Sequence, residues 1–286
     1  MLTERDFSIS MGQMRGVPLR QAVPAIARAG YSGLVLSLQV YRDAVASGLS
    51  DTDIRSLFSD HGVELESIDG VIDWMPGTPV PPELNGFRDH KAFFEAAAAI
   101  GAPRVNAVEL FHHDPGMASM ADGFAGLCQG AAAYGLAVTL EFSPIGSLRN
   151  LGFANSVVEA AGQANGGLLL DTWHFARSGG RPEDIAAIPP ERIFGLQVCD
   201  VGPVPHDSLM DEAMHHRLLP GEGHGNVAEV LAACAAHGIR QPLSAEVFND
   251  ALLALPLDQM LERTIAAMRS VSPYTNPRLV PSAEPA

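Results

Sequence analysis

The sequence GLLLDTWHFARSGG at residues 167–180 contains the transition that decides the fold. It opens with glycine and leucine, the composition of a strand that is buried on both faces. The apolar run ends at Asp171, and His174 follows three residues later. In an α/β barrel, functional side chains lie at the carboxyl ends of the strands. Asp171 therefore has two interpretations: it caps the following helix, or it is a functional carboxylate.

Short apolar runs of this kind alternate with helical patterns along almost the whole chain. The predicted strands are 7–10, 33–38, 63–68, 104–108, 137–142, 167–170, 193–198 and 243–247. Helical segments between them end at glycines, for example 18–29 before Gly30 and 83–100 before Gly101. Such alternation predicts an α/β fold with parallel strands, and eight units in about 270 residues predict a single (β/α)8 TIM barrel. An open doubly wound sheet is the alternative, but no GxGxxG motif opens a predicted helix.

The barrel is predicted to occupy residues 1–271 of the 286-residue chain. Residues 272–286 contain four prolines, so we expect them to form a disordered or surface-bound tail. The net charge of −15 disfavours nucleic-acid binding, since that affinity depends on Lys and Arg neutralising phosphates. No apolar run approaches the roughly 20 residues that a membrane span needs.

The first ten residues, MLTERDFSIS, lack the basic start and apolar core of a signal peptide. The three cysteines, Cys128, Cys199 and Cys234, are odd in number and have no metal-type spacing. Both observations predict reduced thiols and a cytoplasmic location. A homo-oligomer is left open by the sequence.

Oxygen-donating side chains end four successive predicted strands. They are Glu141 on the fifth strand, Asp171 after the sixth, Gln197 on the seventh and Glu246 on the eighth. Burying three carboxylates together is unfavourable unless a cation balances their charge, so the set predicts one divalent metal ion. Oxygen donors without thiolates suit Mn²⁺ or Mg²⁺ better than a structural zinc site, and Mn²⁺ is the first choice.

Five segments resemble the xylose isomerase-like TIM-barrel superfamily, and more narrowly its sugar phosphate isomerase/epimerase branch. They are LEFSP at 140–144, LLLDTWHFARSGG at 168–180, RIFGLQVCD at 192–200, HHRLLPGEG at 215–223 and AEVF at 245–248. The similarity spans roughly residues 5–270. The order of a strand-end Glu, Asp-x-x-His, a ligand on strand seven, Arg before PGEG and a last-strand Glu is specific to the superfamily, but only weakly specific for substrate.

The resemblance implies a role for each residue of these motifs. The implied metal ligands are Glu141, Asp171, Gln197 and Glu246; the implied substrate contacts are His174, Arg217 and Glu222; the implied catalytic groups are Glu141, Glu246 and His174. Many epimerases of the branch have His where this chain has Gln197. Glutamine resembles the metal set of 3-dehydroshikimate dehydratases and some inosose-processing relatives.

The resemblance thus implies a metal-dependent isomerase or epimerase of a sugar, keto-sugar or cyclitol, acting through a metal-stabilised enediolate on a small polyhydroxylated substrate. A dehydratase of the 3-dehydroshikimate or inosose type is the alternative, because loss of a β-hydroxyl from the same intermediate gives dehydration. A non-catalytic sugar-binding protein is a third reading. Endonuclease-IV-like phosphodiesterases share the barrel but need a His-rich cluster, and the predicted ends of strands two and three carry no histidine.

The remaining histidines have weaker interpretations. His174 either supplies an acid or merely orients Asp171. His112 and His113 follow strand four, and adjacent side chains point in different directions, so at most one is expected at the mouth. His206, His215 and His216 lie in the long segment after strand seven, where we expect solvated side chains, apart from a pocket role for the one nearest Arg217.

Overall fold

Eight parallel strands, β1 to β8 in chain order, close into a barrel in the computed structural model, which describes residues 2–276. They are β1 Phe7–Ser10, β2 Gly33–Ser37, β3 Glu64–Val71, β4 Arg104–Val108, β5 Ala137–Glu141, β6 Gly166–Asp171, β7 Ile193–Val198 and β8 Leu243–Ala245. The barrel closes where Ile9 of β1 pairs with Ala245 of β8. The (β/α)8 fold predicted from the alternating pattern is confirmed.

Helices connect the strands around the outside of the barrel. They are α1 Leu19–Ala29, α2 Leu38–Ala46, α3 Asp51–Asp60, α4 His90–Ile100, α5 Met117–Ala132, α6 Leu151–Ala161, α7 Thr172–Arg177, α8 Leu209–His215, α9 Val227–Ala236, α10 Asp250–Leu253 and α11 Leu257–Val271. The single helix predicted over 83–100 is wrong in its first third, because Pro82–Phe87 is a 3-10 turn. The Asp89 side chain then caps α4 by accepting the Ala92 N–H.

The lower part of the barrel interior contains a buried charge that has its own partners. Glu66 of β3 accepts hydrogen bonds from Ser8 of β1 and from Arg104 of β4. Burial raises the pKa of Glu66, and the Arg104 guanidinium opposes that rise. These contacts join three strands at the end of the barrel opposite the predicted functional residues, so they serve the fold.

The segment that follows β7 is folded around Asp200. The carboxylate accepts backbone N–H groups of Gly221 at 3.0 Å, Gly223 at 3.1 Å, Gly225 at 2.8 Å and Val201 at 2.8 Å. A Cβ at Gly223 would lie 2.3 Å from the Val201 carbonyl oxygen, so only glycine permits this approach. Asp200 also exchanges two backbone hydrogen bonds with Leu218, which fixes the position of the neighbouring Arg217.

The predicted tail begins where α11 ends, at Val271. Its first residues pack against the barrel: Ser272 is buried, and the Tyr274 hydroxyl accepts a hydrogen bond from Arg240. Most of the predicted tail, residues 277–286, lies outside the described residues. Within residues 2–276, no helix is both long enough and apolar enough to cross a membrane.

Replacing the Asp200 carboxylate, around which the segment after β7 is folded, is expected to destabilise the protein. In Asp200→Asn, one carboxylate oxygen becomes an NH₂ group that faces backbone donors, so we expect a loss of about 1–3 kcal/mol in the free energy of unfolding. Urea denaturation measures this loss, and Asp207→Asn, at an exposed position of the same segment, is the matched control. Equal stability of the two variants would contradict the organising role of Asp200.

Candidate active site

The four oxygen donors predicted from the sequence lie together at the carboxyl ends of their strands. Glu141 and Asp171 are the last residues of β5 and β6, Gln197 is the penultimate residue of β7, and Glu246 follows β8 directly. All four side chains are buried. Strand pairing accounts for part of this arrangement, since Asp171 lies opposite Gln197 in the β6–β7 register.

Asp171 uses its two oxygens for different purposes. Its Oδ1 atom accepts the backbone N–H groups of Trp173 at 2.6 Å and His174 at 3.1 Å, which caps the short helix α7. Its Oδ2 atom lies 2.9 Å from Nη1 of Arg217. The helix cap and the functional carboxylate are therefore not alternatives, because the cap fixes the orientation in which the second oxygen reaches the site.

Arg217 is the buried cation of the site. Its Nη1 atom donates to Asp171 Oδ2 and, at 3.1 Å, to Glu246 Oε2, while its Nε atom donates to the Ala213 carbonyl at 2.7 Å. The guanidinium carbon also lies 4.9 Å from the ring centroid of Phe248. Burial alone would lower the pKa of Arg217, but the neighbouring carboxylates outweigh that effect and raise it. The guanidinium therefore stays charged.

His174 and Asn106 hold the two oxygens of Glu141. His174 Nε2 lies 3.2 Å from Oε1, and Asn106 Nδ2 donates to Oε2 at 2.7 Å. Thr139 in turn donates to the Asn106 carbonyl oxygen at 2.7 Å, which fixes the orientation of the amide. One ligand atom each from Glu141, Asp171 and His174 lie within 4.8 Å of one another.

The donor set fits a divalent cation. The side-chain oxygen of Gln197 is buried and accepts no hydrogen bond from the described residues, although its Nε2 atom donates to Glu246 Oε1 at 3.2 Å. Three buried carboxylates face one guanidinium, and Asp69 adds a fourth acidic group. An excess of buried negative charge with an unpartnered carbonyl oxygen is what a hard cation satisfies. The residues present therefore suit the metal that the sequence predicts.

A cavity of about 300 Å³ contains part of this cluster. Its polar lining includes Asp69, Glu141, His174, Arg217 and Glu246. The rest of the lining is largely apolar and comes from the segments that follow several strands; it includes Ile72, Phe87, Leu110, Ile145, Met214 and Phe248. The polar chemistry of the cavity is thus concentrated at the strand ends, within an apolar surround.

Sequence reasoning missed Asp69 and Asn106. The third strand was predicted to end at residue 68, but β3 continues to Val71, so Asp69 is a strand-end residue rather than the start of a loop. Burial and the nearby charge of Glu141 raise the pKa of Asp69 to about 7. The signal for Asn106 was a polar residue inside the short strand RVNAV, where its neighbours on both sides are apolar.

Several residues that the sequence placed near the mouth lie elsewhere. Glu222 is exposed and lines a separate cleft with Arg263, because the flanking glycines turn their N–H groups inward to Asp200. This placement leaves Glu222 outside the cavity that His174 and Arg217 line. His113 contacts the Pro76 carbonyl instead of the cavity.

Comparisons with known proteins agree with this architecture. Residues 23–271 match the family model described as xylose isomerase-like TIM barrel. The chain is 32% identical over 243 residues to a 3-dehydroshikimate dehydratase of Pseudomonas aeruginosa, a match that covers 83% of this chain but 37% of that protein. It is 29% identical over 181 residues to an inosose isomerase of Halalkalibacterium halodurans, covering 61% of this chain and 63% of the relative.

Among solved structures, an IolI protein with a bound zinc atom superposes with a TM-score of 0.84 at 19% identity, over 95% of this chain and 99% of the other. At this level of identity, the match supports the fold. The chain spans little more than a third of the dehydratase from Pseudomonas aeruginosa.

The raised pKa of Asp69 predicts a pH dependence of stability in the metal-free chain. The folded state keeps a proton on Asp69 up to about pH 7, whereas the unfolded chain releases it near 3.8. Asp69 therefore makes the free energy of unfolding fall as pH rises between these values, by at most about 4 kcal/mol.

In Asp69→Asn, we expect a smaller fall over the same pH window, measured by denaturant unfolding at several pH values in the presence of a chelator. Asp122→Asn, at an exposed position on α5, should keep the wild-type profile. Identical profiles for Asp69→Asn and the parent chain would show that Asp69 does not titrate in this window.

Proposed function

Because the chain belongs to the xylose isomerase-like TIM-barrel family, we propose that it is a divalent-metal-dependent isomerase or epimerase of a small hydroxylated ketone of the sugar or cyclitol class. One observation carries the proposal: three buried carboxylates and an unpartnered glutamine oxygen meet at the strand ends, beside a buried arginine and histidine. A purely structural cluster would have little reason to bury this many unbalanced carboxylates.

Glu141, Asp171, Gln197 and Glu246 are the proposed ligands of one metal ion, with Mn²⁺ or Mg²⁺ suited to their oxygen donors. When bound, such an ion polarises a substrate carbonyl and stabilises negative charge that develops on its oxygen. Ligand atoms of Glu141, Asp171 and His174 lie close enough together for His174 to be either a metal ligand or a neighbour of the metal. We assign His174 to the substrate, because its Nε2 atom is already paired with Glu141 Oε1 at 3.2 Å.

The chain's own residues supply the proton transfers. Glu246 is the proposed base, because its carboxylate lines the cavity and is held by Arg217, which donates to Oε2 at 3.1 Å. Glu141 donates a different proton to the substrate, and exchange with solvent then restores the starting protonation of both carboxyl groups. Arg217, fixed by the Ala213 carbonyl, provides a charged donor for a substrate oxygen. The apolar surround limits access of water to these groups.

Dehydration is a second candidate, favoured by two observations. One match over 83% of this chain is to a 3-dehydroshikimate dehydratase. The proposed ligand on β7 is Gln197, and glutamine there resembles the metal set of such dehydratases. The Nδ1 atom of His174 is buried without a hydrogen-bond partner among the described residues, while Nε2 contacts Glu141. An imidazole in this position can give a proton to a departing hydroxyl. Both candidates begin with the same proton removal.

Deuterium exchange tests the shared first step and separates the two outcomes. We expect the Mn²⁺-loaded chain, incubated in D₂O with inososes, ketoses or 3-dehydroshikimate, to place deuterium beside the ketone of its substrate. Deuterium uptake without loss of water identifies an isomerase or epimerase, and loss of water identifies a dehydratase. NMR and mass spectrometry follow both.

In Glu246→Gln, the rate of exchange should fall by about 10²–10⁴, the usual contribution of a general base. Glu222→Gln is the matched control, since Glu222 is exposed and lies outside the cavity. The proposal fails if Glu246→Gln exchanges as fast as the parent chain, or if none of these substrate classes exchanges.

Metal binding gives a prediction that does not depend on substrate. Mn²⁺ at about 100 times its dissociation constant should stabilise the folded chain by about 2.7 kcal/mol, and a chelator should reverse the gain. Gln197→Ala and Glu246→Gln should require much more Mn²⁺ for the same rise in melting temperature, whereas Glu222→Gln should match the parent. Equal Mn²⁺ affinity in all four proteins would exclude these side chains as ligands.

A further inference from the structure

Two imidazoles and a carboxylate meet on the surface around helix α8. His206 lies in the loop before the helix, Asp211 in its first turn, and His216 directly after its last residue. All three are exposed. One ligand atom from each residue lies within 4.8 Å of the other two. This cluster shares no residue with the buried carboxylates of the barrel mouth.

The spacing of the three side chains is close to that of a metal site. His216 Nε2 lies 3.2 Å from Asp211 Oδ2, and the ring centroids of His206 and His216 are 4.6 Å apart. Nitrogen and oxygen ligands at about 2.0–2.1 Å from a tetrahedral ion are roughly 3.3 Å from one another. Small rotations of exposed side chains therefore complete the site.

A surface ion pair explains only part of this cluster. The contact between His216 and Asp211 accounts for one imidazole, but it leaves the His206 ring packed against a second imidazole. Two protonated imidazoles at this distance would repel each other. Two neutral imidazoles beside a carboxylate are the usual ligands of a borderline divalent ion.

The backbone on both sides of α8 holds the three residues in place. The His206 N–H donates to Glu212 Oε2 at 2.8 Å, and the Ser208 hydroxyl caps the helix by accepting the Asp211 N–H at 3.1 Å. The His216 N–H donates to the Glu212 carbonyl at 2.9 Å. Glu212 is itself buried and accepts from Trp173 at 3.1 Å. The backbone at the three ligand residues is thus held in place before any ion binds, and only their side chains need to rotate.

We propose that His206, Asp211 and His216 form a second metal site, which takes a divalent transition ion such as Zn²⁺ or Cu²⁺ with water in its open positions. Its imidazole-rich donors differ in preference from the oxygen-rich set at the strand ends. The two sites can therefore be loaded with different ions. The site stands on this geometry alone, independently of the reaction proposed for the cavity.

Occupation of the site would brace one wall of the cavity. An ion held by His206 and His216 links the two ends of α8, and residues of the same helix, among them Met210 and Ala213, line the cavity. Arg217 follows His216 directly in the chain. The ion would thus restrict the segment that positions the buried guanidinium.

Copper EPR in the presence of excess Mg²⁺ tests the site in the full chain. We expect bound Cu²⁺ to show superhyperfine splitting from two imidazole nitrogens. The buried set of ligands can supply at most one imidazole nitrogen, from His174. In His206→Gln and in His216→Gln, one nitrogen should be lost and the affinity should fall at least about tenfold, the lower bound for losing even an outer partner of a metal site.

His215→Gln is the matched control, because His215 is the adjacent imidazole but pairs with Asp250, at 3.0 Å. It should bind Cu²⁺ as the parent chain does. Glu246→Gln should keep the two-nitrogen signal whatever it loses at the buried set, which separates this test from that of the buried site. Circular dichroism verifies that each variant folds. The proposal is overturned if His206→Gln retains the parent affinity and nitrogen count, or if His215→Gln loses as much as His216→Gln.

Discussion

The contact of one guanidinium with two carboxylates is the interaction on which the barrel mouth depends. Arg217 bridges Asp171 of β6 and Glu246 after β8, and all three side chains are removed from water. Desolvating such a group costs more than a buried ion pair usually returns, so stability alone does not explain it. Contacts of the segment between β7 and β8 hold the Arg217 guanidinium in place. Asp200 binds the glycine turn, and the Arg217 N–H donates to the Phe248 carbonyl at 3.0 Å.

Asp171 also serves two purposes with one side chain. A carboxylate at the end of a fully buried strand must satisfy four lone-pair directions without water. The first turn of α7 satisfies one oxygen with two N–H groups, and Arg217 satisfies the other. In the sequence DTWH, the Asp171 side chain therefore both begins a helix and contributes charge to the site. These two roles explain why the leucines of β6 give way abruptly to polar residues.

The strands were predictable because a parallel barrel buries them on both faces. Strands β1, β4 and β7 have the predicted bounds, and β6 is apolar until its final residue. Helix α8 was not predicted, because the short sequence LMDEAMH has too few turns to show a helical period. Asp69 was missed because it lies in an IDGV sequence, in which the acid and glycine indicate a loop.

Motif matching located residues along the chain but not the direction of their side chains. Glu222 shows this most clearly, since its place within PGEG says nothing about which neighbours turn inward. The direction is decided by Asp200, twenty-two positions earlier, whose carboxylate draws the N–H groups of Gly221 and Gly223 towards itself. Four of the other predicted residues, Glu141, His174, Arg217 and Glu246, do line the cavity, because strand register and the Arg217 contacts place them there.

The apolar lining and the charged strand ends act together. A surround of side chains such as Phe87, Ile145 and Phe248 lowers the local dielectric, which strengthens each interaction between the few polar groups. The same surround makes an unbalanced carboxylate costly, as the raised pKa values of Asp69 and Glu246 show. A cation that binds Glu141, Asp171 and Glu246 would neutralise their charge and remove this cost. Binding of the ion therefore stabilises the folded chain, and the buried carboxylates raise the affinity for the ion.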